Sequence, residues 1–330
     1  MGASADGFYD VGFVGAGRIA SLLEDDPLRE KPATHAGAVH RHPRLRTTGV
    51  YDTNEERRSA FVERWGAAGY TTAEEMLAHG QPQLLVVATH PDSHERYVRL
   101  AARHGVPVVI CEKPVAHTLA SARRIARLER RGSIRVVVNH ERRFSQDYRM
   151  ARQAVADRRY GSLVAVSARL FFGSRGRHDR VMLHDGTHLI DAINFLTGDT
   201  VRFRRRFGRY RSRRGSTFLY GRLRKQSLPV ALEVGAQRRY LLFEVLLSFS
   251  DGEIRLGNGE FAVSRAVESP FYTGYRSLQS DQRRVPEPTG YFEGMVAEAV
   301  RLLDNATAVS ESSARDGLVV LRELHRLRGL

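Results

Sequence analysis

The chain has 330 residues, 42% hydrophobic and 27% charged, a length suited to two domains that each bury a core. No run approaches the roughly 18 apolar residues needed to span a bilayer, and the N-terminal MGASADGFYD lacks the basic and apolar regions of a secretory signal, so a cytoplasmic protein is expected. The single cysteine, Cys111, excludes an internal disulfide and argues against structural zinc, and no metal is expected.

A net charge of +15 raises nucleic acid as a partner. Lys31, Lys113 and Lys225 are the only lysines, however, and the arginines run through the whole chain. That is the mark of a compositional habit, so nucleic acid is not expected as a partner. The scarcity makes any lysine in a suspected site notable, because a deprotonatable amine differs chemically from a guanidinium.

In chain order, Tyr9 to Gly15 is a short apolar strand that breaks into glycines, followed by apolar segments at Thr48 to Tyr51, Leu84 to Ala88 and Val106 to Cys111. Helical periodicity fills the intervals at Asn54 to Trp65, Ala73 to His79, His94 to His104 and Ala120 to Arg131, before a strand at Ile134 to Val138. Strands alternating with helices predict βαβ units, hence a doubly wound parallel α/β domain over residues 1–140.

From residue 141 the pattern changes. After a helix at Gln146 to Arg158, the segments Leu163 to Phe172, Thr217 to Leu223, Val230 to Ala236, Leu241 to Phe249 and Gly252 to Leu256 alternate as longer strands joined by short turns. They predict a mainly antiparallel open sheet, accompanied by helices at His188 to Leu196, Tyr291 to Asn305 and Ser312 to Arg326. The arginine-rich stretch Arg202 to Arg214 reads as a solvated strand pair. Residues 141–330 are thus expected to form an α+β domain that binds substrate and makes a homo-oligomer through its open sheet.

Gly15-Ala16-Gly17-Arg18-Ile19-Ala20 fits G-x-G-x-x-G/A directly after a strand and is read as opening a helix. The first glycine permits the tight turn, the second lets backbone N–H groups approach a diphosphate, and Ala20 keeps helix and strand close. Asp52 ends the second strand, where a carboxylate would meet ribose hydroxyls and repel a 2′-phosphate; the alternative is a helix N-cap. NAD is therefore the expected cofactor, with NADP left open by Arg57 and Arg58.

Cys111-Glu112-Lys113-Pro114 follows an apolar strand at the sheet's carboxyl edge, where doubly wound folds bind ligands. Together with the glycine motif, Ala88-Thr89-His90-Pro91-Asp92-Ser93-His94 and Gly186-Thr187-His188-Leu189-Ile190-Asp191, it resembles the glucose–fructose oxidoreductase / inositol dehydrogenase / MocA family. The resemblance implies a Rossmann domain joined to a substrate domain. It places Thr89, His90, Pro91 and His94 along the nicotinamide ribose, Glu112 and Lys113 between cofactor and substrate, and His188 at the substrate hydroxyl. The family's common pattern has an aspartate four residues before that histidine; here His184 stands there and Asp185 one place later, so His184, Asp185 or Asp191 could orient His188. Asn139 and Arg142 are candidates for the border of the substrate site, or else for polar contacts between domains.

The leading expectation is an NAD(P)-dependent oxidoreductase moving a hydride to or from a secondary alcohol or ketone of a sugar, inositol or nucleotide sugar. Hydride transfer from a carbinol carbon needs a group that accepts the hydroxyl proton, and either Lys113 or His188 could do so. The arginines make an anionic substrate a secondary expectation. Two alternatives stay open: elimination or glycoside cleavage through a transient oxidation, and a Rossmann redox sensor that binds nucleic acid through Arg202 to Arg214.

Overall fold

The computed structural model describes residues 7–173, 177–258, 260–284 and 289–329. Its contacts divide the chain into two compact units, Met1–Phe144 with Gly290–Leu321 and Ser145–Thr289 with Arg322–Leu330.

In the first unit, strands β1 (Tyr9–Val14), β2 (Leu45–Tyr51), β3 (Ala68–Tyr70), β4 (Leu84–Val87), β5 (Val108–Cys111) and β6 (Arg135–Val138) form one parallel sheet in the order β3-β2-β1-β4-β5-β6. LLVV and VVIC are wholly buried, as strands covered on both faces must be. Helices α1 (His35–Arg41), α2 (Glu55–Trp65), α3 (Ala73–Gly80), α4 (His94–Arg103) and α5 (Leu119–Arg130) make the crossovers. Thr34, Asn54, Thr72 and Thr118 cap α1, α2, α3 and α5 by accepting backbone N–H bonds, which fixes where each helix starts.

The first crossover departs from the expected helix opening on the glycines. Residues 18–21 make one turn, a 3₁₀ segment follows at Leu22–Asp25, and a regular helix resumes only at His35. The carbonyls of Ile19 and Ala20 accept from the N–H groups of His35 and Ala36 (3.1 and 2.9 Å), bonds that a continuous helix would make four residues on. Residues 21–34 are therefore extruded from a split helix. The Glu24 carboxylate secures them by accepting from Ala33 N and Thr34 Oγ1 (2.9 and 2.8 Å).

The expected boundary at residue 140 is not where the contacts divide the chain. Helix α9 (Tyr291–Asp304) packs Phe292, Met295, Val296 and Ala299 into the core with α1 and one sheet face, and Ala314, Leu318 and Leu321 of α10 (Ala314–Leu327) join the core on the other. A sheet of βαβ units needs both faces covered, and this segment supplies part of the cover.

The second unit contains α6 (Gln146–Ala156), α7 (His178–His184), α8 (Gly186–Thr197) and an eight-stranded sheet. Its strands are β7 (Leu163–Phe172), β8 (Val201–Phe207), β9 (Ser216–Leu223), β10 (Pro229–Gly235), β11 (Leu241–Phe249), β12 (Gly252–Gly257), β13 (Glu260–Glu268) and β14 (Arg276–Arg284), in the order β14-β13-β12-β11-β7-β10-β9-β8. Neighbours are antiparallel except β7 and β10, so the sheet is mixed. Val166, Ala168, Leu170, Val245 and Leu247 line its buried face, while the other carries ion pairs such as Arg169–Glu244 (2.7 Å). Edge strand β8 and the loop after it hold the arginine-rich stretch, with Arg204, Arg205, Arg209, Arg211, Arg213 and Arg214 exposed.

Candidate cofactor and active site

Strand order in the first unit reverses between β1 and β4, which opens a crevice at the carboxyl ends of these strands. A cavity of about 350 Å³ lies there, lined among others by Gly15, Gly17, Asp52, Arg57, Thr89 and His90. Gly15 has φ +97°, and a Cβ on it would stand 2.6 Å from the Ala88 carbonyl oxygen, so only glycine fits the turn. At Gly17 a Cβ would meet nothing within 4 Å. The backbone N–H groups of Gly17, Arg18 and Ile19 make no hydrogen bond to other described residues. Open space beside free N–H donors at the start of a helical turn fits the diphosphate of a dinucleotide.

Asp52 completes this cradle. Its Oδ2 accepts from Ala16 N (2.7 Å) and its Oδ1 from Asn54 N (2.8 Å), so the carboxylate holds the glycine loop while it lines the cavity. The N-cap alternative falls, because Asn54 caps α2. Arg57 lines the cavity too, and Arg58 donates to the Asp52 carbonyl (2.9 Å). Tyr51, Thr53 and Tyr97 belong to the lining and were not singled out in the sequence. Burial pushes the Tyr97 hydroxyl up to about 12, so it stays a neutral wall.

The loop after β5 carries Glu112-Lys113-Pro114. Glu112 is buried, and its Oε1 accepts from His35 Nε2 (2.7 Å) and Asn139 Nδ2 (2.5 Å), while Oε2 accepts from Lys113 N (3.2 Å). Burial alone would raise the Glu112 carboxyl. The hydrogen bond and charge of His35, the Lys113 charge and the Asn139 hydrogen bond outweigh it and hold the group at about 2. His35 escaped the sequence reading because it lies 77 residues from Glu112; the threonine cap before it was the sole local signal.

Other expected residues sit differently. His94 is wholly buried and its two ring nitrogens face the carbonyls of Pro114 (3.1 Å) and Thr89 (3.0 Å), so it braces the two loops against each other. Burial lowers its pKa. Asn139 is buried behind Glu112, with its N–H on the Cys111 carbonyl (2.8 Å). Arg142 pairs with Glu141 (3.0 Å). Thr89 Oγ1 lies 2.7 Å from Ser93 Oγ, Arg18 is exposed, and Ile19 and Pro91 are half-buried.

In the second unit, His188 lies buried in the first turn of α8, its N–H on the Asp185 carbonyl (3.1 Å). His184 is exposed and its Nδ1 is 3.0 Å from Asp185 Oδ1, while Asp191 is buried one turn beyond His188. Asp185 thus directs its carboxylate to His184.

Residues 9–140 match the oxidoreductase family with an NAD-binding Rossmann fold. The chain is 29% identical over 196 residues to an inositol 2-dehydrogenase from Arthrobacter sp. (58% of this chain, 55% of the relative), and 32% identical over 161 residues to a D-apiose dehydrogenase from Paraburkholderia graminis (46% and 43%). It spans about half the length of the curated relatives it matches. Among solved structures, the WlbA dehydrogenase from Bordetella pertussis in complex with NADH and UDP-GlcNAcA superposes with TM-score 0.75 at 18% identity, covering 98% of this chain and 97% of that one. An oxidoreductase domain protein from Kribbella flavida superposes with TM-score 0.77 at 19% identity, covering 98% and 97%. At such identities these likenesses speak to the fold.

Proposed function

We propose that the chain, whose residues 9–140 match the oxidoreductase family with an NAD-binding Rossmann fold, is a dehydrogenase of the glucose–fructose oxidoreductase / inositol dehydrogenase / MocA type that binds NAD and acts on a CH–OH group of a sugar, inositol or nucleotide-sugar-like substrate. The observation that carries this reading is the Glu112-Lys113-Pro114 loop, anchored by a buried carboxylate at the same sheet edge as an open glycine cradle.

Gly15, Gly17 and Asp52 would hold the dinucleotide, and the preference for NAD rests on the fixed Asp52 carboxylate at the end of β2. When bound, the nicotinamide supplies or accepts the hydride. The Lys113 amine takes the hydroxyl proton in oxidation and returns it in reduction. Relatives named for inositol and apiose and a fold neighbour solved with a nucleotide sugar support a polyhydroxylated substrate.

The test is a fluorescence titration with NADH and NADPH, then a panel of polyols and nucleotide sugars followed at the nicotinamide absorbance. Accumulating NADH marks net dehydrogenation, whereas product without NADH marks redox-neutral elimination. Lys113→Arg is expected to bind NADH normally and to lose most turnover, because a guanidinium does not release its proton. Wild-type turnover in that variant removes Lys113 as the proton carrier.

A further inference from the structure

Glu112 is a carboxylate without a water-facing role. It sits 6% exposed, and the groups around it come from three other elements: His35 from α1, Asn139 from the end of β6, and His94 from α4. Its chain neighbours are Lys113 and the thiol of Cys111, which is fully buried and raised by burial and then by the Glu112 charge. A carboxylate can only accept, so the His35 ring presents Nε2–H to it. That ring is 1% exposed and packs edge-on against Phe292, with centroids 5.3 Å apart, which leaves it little freedom to turn. Glu112 closes a short ring through its own Oε2 on the Lys113 N–H, so the carboxylate that His35 holds also fixes the main chain from which the Lys113 amine projects.

We propose that His35 is a positioning residue, which with Asn139 keeps Glu112 as a fixed anion beside Lys113 and so couples the placement of the Lys113 amine to a ring at the start of α1. The inference deepens the reading of Lys113 as the proton carrier and rests on it for its functional meaning. The coupling itself can be measured without substrate or cofactor. Removing the His35 donor leaves a desolvated carboxylate with fewer hydrogen bonds, whose protonation then climbs from the strongly acid range toward neutrality. Lys113 stands next to it and reports that event.

The chain has three lysines, so ¹³C-lysine labelling yields three side-chain signals; Lys113→Arg assigns one, and Lys31 and Lys225 serve as internal controls. In the wild type the Lys113 Cε resonance should show no inflection between about pH 4 and 7. His35→Leu should introduce one there, His35→Gln should suppress it by restoring an N–H donor, and Glu112→Gln added to His35→Leu should abolish it. If His35→Leu fails to fold, Asn139→Ala withdraws the other donor and should produce the same acid inflection. An acid inflection absent from both His35→Leu and Asn139→Ala, or one that persists without Glu112, overturns the coupling. Should the coupling appear while Lys113→Arg retains full turnover, the functional reading fails and the positioning role stands.

Discussion

Gly15 and Gly17 differ in what surrounds them, and alanine at each separates folding from cofactor binding. At Gly15, φ of +97° is strained for any side chain, and the new Cβ would lie 2.6 Å from the Ala88 carbonyl oxygen, which cannot yield without moving the end of β4. Backbone strain and overpacking of about 1–3 kcal/mol each sum to roughly 2–6 kcal/mol, a fall in Tm of about 4–24 °C for a unit of this size. Gly17→Ala meets no atom within 4 Å and should leave stability within about 1 kcal/mol of wild type. Its methyl would stand where the diphosphate approaches, and a crowding cost of about 1–3 kcal/mol weakens NADH binding roughly 5- to 150-fold. Thermal melts by circular dichroism and NADH fluorescence titration measure the two effects. Equal melting of both variants, or wild-type NADH affinity in Gly17→Ala, would refute the placement of the diphosphate over the second glycine.

Asp52→Ser removes the carboxylate that orders the glycine loop and, in the proposed reading, repels a 2′-phosphate, while Arg57 stays in the cavity lining as a cation to meet one. The preference for NAD over NADP, read as the ratio of dissociation constants, should fall by about tenfold or more. Glu129 in α5 tests a structural titration: burial pushes it up to about 7, partly offset by backbone hydrogen bonds from Val136, Arg315 and Ala314. A carboxyl raised in the folded state stabilises below its unfolded value near 4.5, and that contribution is lost as pH rises through about 7. Glu129→Gln should therefore gain stability relative to wild type at pH 8 and gain less at pH 5 in urea denaturation. An equal difference at both pH values would show that Glu129 does not titrate in this range.

Most elements of the first sheet were legible because they are coded locally. LLVV and VVIC are continuous apolar runs, Asn54, Thr72 and Thr118 announce helices, and the glycine motif marks a tight turn that holds Gly15 at φ +97°. Short or polar elements were not. Ala68–Tyr70 has three residues, Arg276–Arg284 lacks an apolar face, and α1 is hidden behind an insertion rich in Asp, Glu and Pro.

By itself the sequence determined the chemistry on offer: a glycine turn, an acid at the end of a strand, and a rare lysine following an apolar run. Local propensity and periodicity are properties of neighbours along the chain, and these motifs need nothing more. Only tertiary structure decided that Asp52 would hold the amide of Ala16, that His94 would brace two loops, and that His35 and Asn139 would meet on one oxygen of Glu112. Those pairings join residues up to 77 apart, and they exist because burial forces each polar atom to find a partner wherever packing brings one within reach.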